Sequence, residues 1–173
     1  MSSEAPDSVA ATRLIFAEGA PAVREGDVPV RTGGQIDGGL SALLAEHDRR
    51  WQELNALGVS DLWDRLSTTV MYFGDECRDP IVGQRDLRQH CSRMIRRLTH
   101  AEMRSELVAA QELGPDAATL LALMKWTFTL AGQPSTSGTS WVGATVVRTT
   151  SGWRFVQYVE RLIEGGHPEL QSL

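Results

Sequence analysis

From Leu40 onwards the apolar positions of the chain fall into two rhythms, first one repeating every three to four residues and then one repeating every two. Leu40, Leu43, Leu44, Trp51 and Leu54 share one stripe, with His47 in the gap, which predicts an amphipathic helix over 40–57 capped at its end by Gly58. Ser60 is expected to cap a short second helix through Leu62, Trp63 and Leu66. "STTVMYFG", 67–74, is β-branched and aromatic and predicts a strand, followed by the loop "DECRDPIVG". A third helix then places Leu87, Cys91, Met94, Ile95 and Leu98 on one stripe, His90 at its border, and Arg85, Arg88, Arg93 and Arg96 on the solvated side.

The second rhythm predicts strands over 103–112, 118–130 and 140–150, and a last strand entered through Ser151-Gly152. Helices followed by a run of antiparallel strands give an α+β domain, a curved sheet closing over helices on one face. Three prolines, two glycine pairs and no periodicity mark 1–39 as an arm; the domain is expected over 40–162, with 163–173 as a tail. Alternation assigns the faces. Leu120, Ala122, Met124, Trp126, Phe128 and Leu130 are expected to look inward, and so are Trp153, Phe155, Gln157 and Val159. Tyr158 and Glu160 then fall on the outer face with Val142, Ala144, Val146 and Val156, an apolar surface that predicts a homodimer.

Composition narrows the function classes. The 173 residues carry a net charge of −5, which argues against a nucleic-acid footprint. No apolar run reaches the roughly 20 residues of a membrane span, the short "LIFA" stretch follows a single basic residue, Arg13, and is too brief for a secretory signal, and Cys77 and Cys91 suit free thiols, so a cytoplasmic location is expected.

Several stretches resemble the SnoaL-like branch of the nuclear transport factor 2-like (NTF2-like) superfamily, which also holds the ketosteroid isomerases. They are "WQELNALGVSDLWDRL", "TTVMYFG", "PIVGQRDLRQHC" and the closing hairpin "GATVVRTTSGWRFVQYVE". The resemblance implies a cone-shaped α+β barrel, its mostly antiparallel sheet wrapped over three N-terminal helices, an apolar pocket at the open end, and a dimer through the outer sheet face. It transfers no activity, because the fold hosts many chemistries and none. The positions that would hold the isomerase tyrosine, aspartate base and protonated acid carry Arg50 or Trp51, Tyr72 and Thr145, and the last-strand histidine positions carry Gln157 and Val159.

The candidate site is therefore assembled from polar groups aimed into an apolar cone. Tyr72 and His90 are the catalytic candidates, the phenol as a hydrogen-bond donor to a developing enolate and the imidazole as a proton carrier. Gln157, Trp126, Trp51, Met124, Phe155, Phe128 and His47 are expected to line a pocket for a small hydrophobic molecule. Asp75, Glu76 and Asp79 read either as a solvated loop or as paired carboxylates at the cone mouth; no metal and no cofactor is called for. Two functions remain open: a cofactor-free isomerase, cyclase or dehydratase acting on a polyketide-like or polycyclic carbonyl compound, and a non-catalytic binding or scaffold protein.

Overall fold

The computed structural model describes residues 37–67 and 69–165; of the expected arm over 1–39 and tail over 163–173, residues 37–39 belong to the first helix and 163–165 to the last strand, and the rest lie outside the described residues. Three helices, α1 (Asp37–Gln52), α2 (Ala56–Ser60) and α3 (Gln84–Arg97), pack beneath one curved six-stranded sheet. Its strands are β1 (Met71–Phe73), β2 (Ile81–Val82), β3 (Leu98–Gly114), β4 (Ala117–Leu130), β5 (Thr136–Thr149) and β6 (Gly152–Gly165), in the order β2-β1-β6-β5-β4-β3. Only β1 and β6 run parallel. The fold is the expected α+β cone, although the sheet stays open between β2 and β3 instead of closing into a barrel.

The first helix buries its predicted stripe of Leu40, Leu43, Leu44, His47 and Trp51. It is tied to the sheet by Asp48, whose carboxylate accepts from the Ser105 N–H at 2.6 Å and the Ser105 hydroxyl at 2.7 Å. The second helix departs from expectation: Asn55 caps it, its side chain accepting from Gly58 N–H at 2.8 Å. Gly58 is thus inside the element, Ser60 ends it, and Leu66 is left 90% exposed. Gly83, at φ +94°, opens α3 in a backbone region that other residues avoid. The hairpin strand Ile81–Val82, not foreseen in the loop, pairs with Met71 and Tyr72.

On β4 the expected inward residues Leu120, Ala122, Met124, Trp126 and Leu130 are at or below 7% exposure and Phe128 is half-buried. On β5 and β6 the expected faces are overturned. Val146 pairs with Phe155 but Thr145 pairs with Gln157, so Val156 is one extra residue against β5, a β-bulge. Trp153 and Phe155 point inward as expected; beyond the bulge the phase flips, and Tyr158 is buried while Gln157 joins Thr145 and Val159 on the outer face. Val142, Ala144 and Val146 are core residues, not an exposed dimer surface. They pair with Ala122, Leu120 and Ala118, and cross-strand partners share a face.

Candidate functional site

Beneath the sheet lies a cavity of about 50 Å3, room for a few water-sized particles and well short of the ~300–1,000 Å3 of drug-sized ligand pockets. Its walls come from His47 and Trp51 of α1, Met94 of α3, Met103 of β3, Met124, Trp126 and Phe128 of β4, and Tyr158, Glu160 and Leu162 of β6. Tyr72, Asp75 and Glu76 complete it. Of the sequence candidates, Tyr72, His47, Trp51, Met124, Trp126 and Phe128 meet there. Phe155 lies outside the lining, its ring 5.0 Å from Trp63 and 5.7 Å from His47. His90 is behind the wall, and Gln157 is on the opposite face of the sheet. An amide there faces a shallow outer depression beside Gly143 and not the cone.

One wall is organised around Glu76. After the three residues of β1 the chain turns, with Cys77 N–H donating to the Gly74 carbonyl at 3.0 Å, which brings Glu76 back to Tyr72. Its Oε1 accepts from the Tyr72 hydroxyl at 2.9 Å and lies 2.7 Å from His90 Nε2 and 3.6 Å from Cys77 Sγ. Gly74 makes this possible: a Cβ there would lie 2.4 Å from the Tyr72 hydroxyl and 2.3 Å from Glu76 Oε2. Burial pushes the Glu76 carboxyl up, but the hydrogen bond and charge of His90 and the Tyr72 hydroxyl outweigh it, so the group sits below its ordinary range. Tyr72 is pushed well above the usual phenol range by burial and by Glu76. Its single proton is committed to Glu76, and His90 reaches the cavity only through that carboxylate. Glu76, Cys77 and His90 hold metal-ligand atom types within 4.8 Å of one another. Hydrogen bonds already engage those atoms, and burial first, then Glu76, pushes the Cys77 thiol up to about 12.

The facing wall is built on Ser140. The Trp126 indole N–H donates to its hydroxyl at 3.1 Å, and that hydroxyl donates to Asp75 Oδ2 at 3.3 Å and also serves Glu160. Gly138 sets the position of Trp126, since a Cβ there would fall 2.4 Å from the indole ring. Burial pushes Glu160 up to about 8, with the charges of Glu76 and Asp75 adding to it and the Ser140 hydrogen bond opposing. Asp75 is raised by burial, partly offset by the Leu162 N–H and the Ser140 hydroxyl. Beside them Tyr158, 1% exposed, has only a 3.7 Å contact from its hydroxyl to the thioether of Met124. At the far end His47 Nε2 accepts from the Trp51 indole at 3.1 Å, so that lone pair is already used within the protein.

Tyr158, Glu160 and the buried role of Glu76 were not anticipated from the sequence. One signal was present: the aromatic residues of β6 stand at 153, 155 and 158, and the interval of three breaks the period of two where the bulge lies.

No protein-family model and no curated protein matches the chain by sequence. Solved structures do match its fold. A scytalone dehydratase-like protein from Novosphingobium aromaticivorans superposes with a TM-score of 0.67 at 8% identity, over 75% of this chain and 85% of that one. A ketosteroid isomerase-like protein from Erwinia carotovora atroseptica gives 0.64 at 14% identity, over 76% and 98%. A hexachlorocyclohexane dehydrochlorinase gives 0.63 at 9% identity, over 75% and 86%. The fold is that of the NTF2-like proteins.

Proposed function

We propose that the cone is a cofactor-free acid–base site that moves a proton next to the carbonyl of a small, mostly apolar molecule, as an isomerase or dehydratase does. The observation that carries this reading is Glu160, a carboxyl with a pKa of about 8 in an aromatic cavity, beside a buried phenol, Tyr158, that has no strong partner of its own. A group titrating near neutral pH can both take a proton from carbon and return one, which suits Glu160 as the shuttle. Tyr158 is the donor for the developing enolate oxygen. Tyr72 and His90 act through Glu76, holding a fixed negative charge that helps keep Glu160 protonated at neutral pH. The names of solved structures with this fold, a scytalone dehydratase-like protein, a ketosteroid isomerase-like protein and a dehydrochlorinase, support this class of reaction. A polycyclic substrate does not fit about 50 Å3, so a small one is favoured unless the walls part.

Exchange of α-hydrogens in D2O tests the reading, followed by NMR for ketones from acetone to cyclohexenone. The expected result is exchange at least ~10²-fold above buffer for one or more of them, lost in Glu160→Gln. Buffer-rate exchange for every ketone would leave the second reading, a non-catalytic binding protein, which the small cavity favours.

The homodimer remains part of the proposal, on a corrected surface: Trp141 is 37% exposed, and Leu121, Leu123 and Val159 share its face around Gly143. Light scattering giving only the 19.0 kDa monomer would oppose it. Among the described residues no helix is long and apolar enough to cross a membrane. A cytoplasmic setting fits the free thiols Cys77 and Cys91.

A further inference from the structure

We infer, resting on the reading of the cavity as a small-molecule site, that its ligand carries a positive charge: an ammonium or quaternary nitrogen seated between the Asp75 carboxylate and the rings of Trp126, Phe128 and Trp51. The cavity is unbalanced in charge. Asp75, Glu76 and Glu160 line it, and among its described lining residues there is no lysine or arginine. Glu76 is answered by His90 at 2.7 Å. Asp75 has only dipoles, the Ser140 hydroxyl at 3.3 Å and the Leu162 N–H, and burial holds its carboxyl above the ordinary range. Asp75 is half-buried, so a neutral ligand that displaced its water would leave that charge unanswered, and an anionic one is repelled by it.

The rings supply the other half of the seat. The Trp126 N–H is committed to Ser140, which in turn donates to Asp75, so the carboxylate stands one hydroxyl away from the indole. Trp126 stacks on Phe128 with centroids 5.1 Å apart and planes at 18°, and Trp51 follows at 5.8 Å from Phe128. Aromatic rings beside a carboxylate attract organic cations through the quadrupole of whichever ring face is open. Glu160 and Tyr158 stay available for a carbonyl, so the substrate class is a small carbonyl compound that also bears a cationic nitrogen.

Three probes decide it, tetramethylammonium and neutral tert-butanol of matched size and the somewhat larger anion pivalate, titrated into the full chain and followed by tryptophan fluorescence and saturation-transfer NMR. Tetramethylammonium is expected to bind at least ~10-fold more tightly than tert-butanol, pivalate least, and Asp75→Asn should remove the preference while tert-butanol still binds. Far-UV circular dichroism and the melting temperature check that the near-isosteric variant is folded. Equal or weaker binding of tetramethylammonium, or a preference unchanged in Asp75→Asn, overturns the cation and leaves the cavity reading standing. If none of the three binds, the small-molecule site fails, and the cation with it.

Discussion

The two carboxyl-bearing walls of the cavity are opposites in electrostatic design. Glu76 is surrounded by donors, three of them converging on one oxygen, and burial makes those bonds stronger than they would be in water. Glu160 is buried beside two other carboxyls and shares a single serine hydroxyl with Asp75. Similar burial therefore drives the two glutamates in opposite directions, one held ionised and the other protonated near neutrality. Desolvation alone does not set a pKa; the count of donors within reach decides its sign. Carboxyls separated in this way supply an acid and an anion in one small space, which is what proton transfer needs.

The largest expected effect comes from emptying the donor-rich wall. Glu76→Leu leaves His90 and Tyr72 without their acceptor and should cost ~3–5 kcal/mol in denaturant unfolding. Because the folded pKa of Glu76 is lowered, its contribution is present above the ordinary carboxylate value and lost as pH falls through the folded one. The variant should therefore lose the acid-side dependence as well.

Glu160→Gln tests the other wall with the opposite sign. The folded pKa, about 8, lies above the ordinary 4.5, so this group's contribution is full below pH 4.5 and is lost as pH rises through 8. Relative to the variant, the native chain should lose roughly 5 kcal/mol across that window, seen as a difference in slope between two pH series of denaturant midpoints. A parallel pair of curves would mean that Glu160 titrates normally.

Gly74→Ala should cost ~1–3 kcal/mol, because its Cβ meets the Tyr72 hydroxyl and the Glu76 carboxylate at once. Its acid limb should shift toward that of Glu76→Leu; a stable variant with an intact acid limb would show that the wall tolerates displacement. The smallest effect is expected at Gln157→Leu, on the outer face, within ~0.5 kcal/mol and without change in probe binding. A weakened probe there would place the amide back in the cavity.

The sequence by itself determined the elements that follow one rhythm throughout. The stripe of α1, the stripe of α3 and the alternation of β4 each put one face in the core, and a helix or strand that buries a single face must show that period. They fixed the helix-then-sheet order and brought Trp51, Met124, Trp126 and Phe128 to the cavity. Tertiary structure decided the rest of the site. Whether "DECRDP" is a solvated loop or folds Glu76 under Tyr72 depends on His90, which arrives fourteen residues later on another element. Which side of β6 faces inward depends on one extra residue, Val156, set against the partner strand. Alternation is local and carries phase only as far as the ladder is regular, so a bulge exchanged Gln157 for Tyr158 and Glu160 without altering a single residue's propensity for a strand.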